Sequence, residues 1–307
     1  MYDFIVNLKA RSGYGKNIWR LIEHELKRQN VIYQKHITHY EYHAIKIAKQ
    51  ILNTHKSISH IVVVGGDGTM NEVINGISSF KNVVLGYIPT GSSNDLAKGL
   101  GIPSDPIKAL NLALHPTRYS YYDQGNVTLH TKMKSRKYVV SCGIGYDACV
   151  CKEALNSKLK LFFNHLGLGK LTYAAIALKQ LLRFQPFNGE LMVDGTKRII
   201  LHNIYMISGM IHKTEGGGLI IAPDADPSDQ QVSVCVVSDI KKYMFFFILP
   251  SLLTSKQKYF KGLRRFNCRT LEIHLEKSQI VHTDGEFTGK EKELSLGCTK
   301  EKLRMIR

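Results

Sequence analysis

Along the first third of the chain, short apolar runs alternate with stretches in which apolar residues recur every three or four positions. Residues 2–7 read as a strand, 17–28 as a helix, 33–38 as a second strand, and 42–52 as a second helix with Ala44, Ile47, Ala48 and Ile51 on one face. Ile61, Val62, Val63 and Val64 then form an unbroken β-branched run, the pattern of a strand buried on both faces. Such alternation predicts a parallel sheet, and ligands bind these sheets outside the carboxyl ends of the strands. A strand at 83–88 and a helix at 105–114 continue the pattern.

Beyond His115 and Pro116 strands follow one another: 119–129, 137–146, 189–193, 198–208, 217–222, 231–237, 270–275 and 279–283, with a basic loop at 130–136. The boundary is therefore placed there, giving an α/β domain over residues 1–115 and a larger β-rich domain over 116–307. The helical region after residue 150 mixes Lys152, Lys158, Lys160, Lys170 and Lys179 with Leu161, Phe162 and Phe163. That mixture suits a face lying on an anionic membrane, and equally a solvated basic face packed on its own core. The most apolar run, 241–253, is flanked by Lys241, Lys242, Lys256, Lys258 and Lys261. It falls short of the about 18 to 20 residues that cross a bilayer, so a buried helix is expected, with a membrane-facing one as the second reading.

Two loops carry the candidate chemistry. Gly65-Gly66-Asp67-Gly68-Thr69 breaks the β-branched run abruptly, and Thr69 or Asn71 is expected to cap a helix bearing Val73, Ile74 and Ile77. Backbone N–H groups of loop and helix would converge where a phosphate could sit, while Asp67 acts through a metal or on a sugar or hydroxyl. A plain turn explains one glycine and a cap; it does not explain three glycines around one aspartate. Asp67→Ala is accordingly expected to stop the chemistry and leave the fold intact. The second loop, Pro89-Thr90-Gly91-Ser92-Ser93-Asn94-Asp95-Leu96-Ala97, has a glycine to bend the chain, two serines to donate hydrogen bonds, and Asn94 and Asp95 opening a short helix. The polar loop 7–16 offers Lys9, Arg11, Ser12 and Lys16 to phosphates or to solvent.

These strings resemble the catalytic domain of the diacylglycerol kinase superfamily, and the whole chain resembles its soluble bacterial lipid kinases, related to sphingosine kinases and more distantly to NAD kinases and phosphofructokinases. The resemblance implies an α/β nucleotide-binding domain, a β-sandwich-like second domain to which the final residues are not confined, since they return to the first, and an active site in the cleft between the domains. It implies ATP phosphates held by Asn7, Ser12 and Gly13, by Gly65, Gly66, Gly68, Thr69, Asn71 and Glu72, and by Gly91, Ser92, Asn94 and Asp95. Asp123-Gln124-Gly125 matches the family's Asp-x-Gly, and Asp284-Gly285-Glu286 its Asp-Gly-Glu, whose glutamate is the general base. Asp67, Asp123 and Asp284 would then organise magnesium and the acceptor hydroxyl.

From the residues alone, Asp284-Gly285 also reads as a hairpin turn, whereas on an extended chain Asp284 and Glu286 would share one side. Residues 141–150 resemble the family's glycine-rich strand-to-helix junction, with Asp147 expected to cap the helix. Residues 222–232 resemble a segment that holds a structural magnesium through Asp229 and the carbonyls of Asp226 and Gln231. Gln230 and Ser233 depart from that pattern, standing where the family has glycine and a second aspartate.

The charge of +17 implies attraction to polyanions, and the lack of helix-turn-helix, RNP or zinc-finger patterns sets nucleic acid aside. The expected partner is a lipid substrate at an anionic membrane surface, met by peripheral contact from the cytoplasmic side, and a homodimer is a further expectation. The opening residues carry no leader pattern, and the six cysteines lack CxxC or zinc spacing, which suits buried thiols in a reducing compartment. The leading acceptor is diacylglycerol. A sphingoid base, phosphatidylglycerol or NAD remains as alternative acceptor, and a lipid-binding regulatory protein as the reading outside enzymes.

Overall fold

The computed structural model describes residues 1–11, 13–54, 58–156, 169–254 and 260–307, side chains of 156 and 169–173 excepted. The chain divides into two compact units, Met1–Gln124 with Lys300–Arg307, and Gly125–Thr299. The division falls after Gln124 rather than near His115, because the strand at Tyr119–Tyr122 pairs with the C-terminal strand Leu303–Ile306.

The first unit runs β1 (Tyr2–Val6), α1 (Tyr14–Arg28), β2 (Tyr33–Ile37), α2 (His43–Thr54), β3 (Ser59–Gly65), α3 (Asp67–Gly76), β4 (Val83–Pro89), α4 (Asp95–Leu100), α5 (Pro106–Leu114) and β5 (Tyr119–Tyr122). The sheet order is β2-β1-β3-β4, parallel throughout, followed by the C-terminal strand and β5. Burial explains the sequence pattern: β4 is buried along its whole length, and Ile61 to Val64 of β3 have no exposure. The helices bury Ile18, Trp19, Ile22 and Leu26 of α1 and Ala44, Ile47, Ala48 and Ile51 of α2 against it. Because β1 lies between β2 and β3, consecutive crossovers leave it in opposite directions, so a crevice opens beyond the carboxyl ends of β1 and β3.

The second unit contains β6 (Gly125–Leu129), β7 (Lys134–Tyr138), β8 (Ser141–Gly145), α6 (Tyr146–Asn156), α7 (Gly169–Arg183), β9 (Phe187–Val193), β10 (Lys197–Met210), β11 (Thr214–Glu215), β12 (Leu219–Ile220), β13 (Val232–Ser238), α8 (Phe245–Ser251), β14 (Leu263–Cys268), β15 (Thr270–Thr283) and β16 (Glu286–Cys298); the C-terminal strand is β17 (Leu303–Ile306). Nine of these strands form one sheet in the order β14-β13-β10-β8-β15-β16-β6-β7, with β9 bridging β10 and β15. Its core gathers Tyr138, Ile144, Leu191, Ile207, Val234, Leu271 and Leu296. Among the described residues no helix is long and apolar enough to cross a membrane.

Several expected strands are divided. Residues 119–129 are two strands in different sheets: buried Asp123 turns to Lys302, and Gln124 donates its side-chain amide to the Glu301 carbonyl at 3.0 Å. Residues 137–146 break at Val139 and Val140, whose N–H groups point at Asp284. Only Leu219–Ile220 is strand within 217–222, since Gly216, Gly217 and Gly218 all take positive φ and make a turn back to β11. The apolar run 241–253 is not a buried helix: α8 buries Phe245 and Ile248 but leaves Phe246 and Phe247 exposed. Ser12, Lys158, Lys160, Leu161, Phe162, Phe163, Lys256 and Lys258 lie outside the described residues, and so does the side chain of Lys170.

Candidate functional site: two glycine loops and an Asp-Gly-Glu turn

At the end of β1, Asn7 donates its backbone N–H to the Val64 carbonyl at 2.9 Å and its side-chain amide to Thr69 Oγ1 at 3.0 Å. The first unit thus ties its opening loop to the glycine loop after β3. The two glycine loops touch backbone to backbone. A Cβ built on Gly91 would stand 2.7 Å from the Gly66 Cα, and one on Gly66 would stand 3.1 Å from the Gly91 Cα, so any side chain at Gly91 would force the loops apart. Thr90 donates its N–H to the Gly65 carbonyl at 2.8 Å, and its buried hydroxyl has no hydrogen-bond partner among the described residues.

Asp67 sits in the first turn of α3 and does not hang in a loop. Gly66 occupies the cap position, so neither Thr69 nor Asn71 caps this helix; both are inside it. The Asp67 carboxylate instead caps α4: Oδ2 accepts from the Asp95 N–H at 2.9 Å and Oδ1 from the Leu96 N–H at 3.2 Å, with the Tyr87 hydroxyl donating to Oδ1 at 3.3 Å. Asn94 takes a left-handed conformation and does not cap α4 with its side chain; it exchanges hydrogen bonds with Gly91, accepting from its N–H at 2.8 Å and donating to its carbonyl at 3.0 Å. Asn7, Gly65, Gly66, Asp67, Gly68, Thr69, Gly91, Asn94 and Asp95 are therefore one construction at the carboxyl ends of β1, β3 and β4, with Ser92 exposed beside it.

Two residues expected at the nucleotide have other work. Glu72 caps α2, accepting from the N–H groups of Tyr42 and Ala44 at 3.0 Å each. Asn71 is fully buried and receives the Asn75 amide on its carbonyl at 2.8 Å. Gly13, with φ 93°, starts α1, and Ser12 lies outside the described residues. Asp123 is buried and paired with Lys302 at 3.1 Å, which offsets its charge.

In the second unit, Asp284 and Gly285 take φ of 50° and 81° and join β15 to β16 as a two-residue hairpin turn. This overturns the same-side argument for Asp284 and Glu286, because the chain between them is not extended. Asp284 Oδ1 accepts from Val140 at 2.7 Å and Ser141 at 3.1 Å, and Oδ2 accepts from Val139 at 2.9 Å. A carboxylate so surrounded by N–H groups is a fixed acceptor that locks the hairpin to β8. Glu286 opens β16, half-exposed, opposite Thr283.

Behind this turn lies a buried group that sequence reasoning missed. His282 Nε2 stands 3.1 Å from Glu215 and 3.5 Å from Asp147, while its Nδ1 accepts from the Gly285 N–H at 3.2 Å. Asp147 lies in the first turn of α6 and accepts the Ala148 N–H on Oδ1 at 2.8 Å, as expected of a residue serving that helix start. Its carboxylate receives the Ser208 hydroxyl at 2.9 Å, and burial pushes its carboxyl up from the ordinary range. Cys151, Glu215 and His282 each bring a ligand atom within 4.8 Å of the others. The Gly285 N–H directed at Nδ1 leaves Nε2 as the nitrogen that faces the two carboxylates. The partners come from segments up to 135 positions apart, which is why no local pattern announced them.

The segment resembling a magnesium site has oxygen donors of the right kind. Gln230 keeps, at φ 60°, the left-handed conformation that a glycine would take, and Asp229 Oδ1 accepts from the Gln231 N–H at 2.9 Å. Ser233 adds no carboxylate and donates to Asn267 Oδ1 at 2.9 Å. Asp226 is exposed and accepts from the Ser228 N–H and hydroxyl.

Two family models match the chain in tandem: the diacylglycerol kinase catalytic domain over residues 2–121, and the YegS C-terminal NAD kinase beta sandwich-like domain over 139–306. YtlR of Bacillus subtilis strain 168, provisionally named a lipid kinase, is 28% identical over 291 residues, covering 93% of each chain. The diacylglycerol kinase of the same organism is 25% identical over 231 residues, 75% of this chain and 71% of that one. A crystal structure from Bacillus anthracis str. Sterne, titled provisionally as a diacylglycerol kinase, superposes with a TM-score of 0.77 at 20% identity, covering 99% of this chain and 94% of that chain, a likeness of fold. With both models matched in order, the chain belongs to the diacylglycerol kinase catalytic-domain superfamily, as a lipid kinase-family protein with a YegS-type C-terminal domain.

Proposed function

We propose that the protein transfers the γ-phosphoryl group of ATP to the hydroxyl of a membrane lipid, with diacylglycerol as acceptor and phosphatidic acid as product. The observation that carries this reading is the backbone contact of Gly66 with Gly91 at the crevice beyond β1 and β3, which keeps side chains out of the place where a polyphosphate would lie. Phosphoryl transfer asks for positioning and charge neutralisation more than covalent chemistry, and this construction supplies positioning. Thr69 and Asn7 hold the first loop in place, and Asp67 holds the second loop to it through α4.

Glu286 takes the proton from the lipid hydroxyl as its oxygen bonds to the γ-phosphorus and the bond from that phosphorus to the β–γ bridging oxygen breaks, releasing ADP. Asp284 positions Glu286 by fixing the turn that precedes it. Asp67 and Asp284 already accept several N–H groups each, so they are read as positioning residues rather than direct magnesium ligands. Magnesium supplies neutralisation of phosphate charge in such reactions. A second, structural magnesium would be held by Asp229 with the carbonyls of Asp226 and Gln231, a donor set suited to a hard cation.

The test is incorporation of labelled phosphate from ATP into diacylglycerol, a sphingoid base, phosphatidylglycerol and NAD, each offered separately, the lipids in mixed micelles. Diacylglycerol should be phosphorylated at least tenfold faster than the others. Preference for NAD would reject the lipid reading, and preference for a different lipid would reject the acceptor alone.

A further inference from the structure

The helix α8 is apolar on both sides. Phe245, Ile248 and Leu252 point into the second unit, packing in its core, whereas Phe246, Phe247 and Leu253 are 59%, 61% and 62% exposed. Tyr243, Phe246, Phe247, Pro250 and Leu253 recur at three- and four-residue spacing and are all exposed, so the outward face carries a continuous, mainly apolar stripe. Leu182, also exposed, lies beside the start of this segment, because Lys242 Nζ donates to its carbonyl at 3.0 Å. A helix apolar all round belongs in a core or against an apolar medium, and a stripe this exposed calls for a cover.

We infer that the outward face of α8 is the surface by which this unit docks on an anionic lipid bilayer. Charge selects the occupant: Lys241 and Lys242 lead into the helix, and residues 240–254 contain neither aspartate nor glutamate, in a chain of net charge +17. A second copy of the chain meeting this face by two-fold symmetry would set the same lysines against each other. An anionic bilayer accepts both features, burying aromatic side chains at the headgroup boundary and attracting the lysines. The surface rests on the lipid kinase reading, since a kinase for a lipid acceptor must reach it in the bilayer, but it can be tested without turnover.

The experiment measures sedimentation with vesicles of phosphatidylglycerol and phosphatidylcholine, and with phosphatidylcholine alone, for the full chain and for Phe246→Ser/Phe247→Ser. Both phenylalanines are exposed, so the double variant should melt as the parent does. We expect its partition onto anionic vesicles to fall at least tenfold, parental binding to weaken steeply with salt, and its size on gel filtration to be unchanged. Turnover of a short-chain diacylglycerol dissolved as monomers should be equal in both proteins. Partition within twofold of the parent overturns the proposal, as does a parental dimer that the substitutions dissociate, which would show the face covered by a second copy. If neither protein phosphorylates any lipid while vesicle binding still depends on Phe246 and Phe247, the kinase reading fails and the docking surface stands.

Discussion

The Asp67 carboxylate accepts the Asp95 N–H at 2.9 Å, so the acidic residue of the first glycine loop is the cap of the helix that follows the second. One side chain thereby fixes the distance between the loops whose backbones meet at Gly66 and Gly91. This contact adds a cost in stability to what the sequence predicts for Asp67→Ala.

Asp67→Ala should abolish turnover and also lower stability by about 1–2 kcal/mol, the usual cost of losing a helix cap, because the Asp95 and Leu96 N–H groups lose their acceptor. Asp67→Asn keeps one acceptor oxygen and should recover most of the stability. Thermal melts paired with lipid phosphorylation separate the effects, and Asp67→Ala melting with the parent would show that the cap carries no weight.

At the hairpin, Glu286→Gln preserves shape but not basicity. Turnover should fall on the order of 100- to 10,000-fold with ATP affinity nearly unchanged. Gly285→Val should instead lower stability, since φ 81° is strained for a β-branched residue. Normal turnover in Glu286→Gln would move the proton acceptor elsewhere.

What was legible in the sequence was local. The β-branched run before Gly65, the glycines at 66 and 91, and the alternation through β4 each declare themselves within a few positions, and they place the glycine-loop end of the first unit. The partners of the polar residues were not legible, because they are set by tertiary contacts. Nothing near Glu72 says that it caps a helix beginning at His43, and nothing near Asp284 says that it gathers the N–H groups of Val139, Val140 and Ser141. The same long-range pull explains the broken strand at Val139 and the further partners of Asp147, whose carboxylate serves the first turn of α6 and also joins the cluster around His282.

Asp229 offers a test of the structural cation. If it and the carbonyls of Asp226 and Gln231 hold magnesium, adding magnesium should raise the melting temperature of the parent, and Asp229→Ala should remove that rise. An equal rise in both proteins would place the cation elsewhere, and the substitutions at Gln230 and Ser233 would then have closed this site.

His212 predicts a pH dependence of stability. It is 2% exposed at the end of β10, and burial pushes its pKa down from 6.5 to about 4. The folded chain therefore keeps this imidazole neutral down to about pH 4, whereas the unfolded chain protonates it near its ordinary value of 6.5. Between those limits the unfolded state binds the extra proton, so the neutral ring's contribution is fully present above 6.5 and is lost as pH falls toward 4. The span of about 2.5 pH units at 1.36 kcal/mol each sets the loss at about 3 kcal/mol. Urea unfolding of the parent and of His212→Gln at several pH values reads this as a slope, which is insensitive to any constant cost of the substitution. The parent should lose stability faster than the variant on acidification through that window. Parallel curves would mean that His212 is protonated in the folded chain as readily as in the unfolded one.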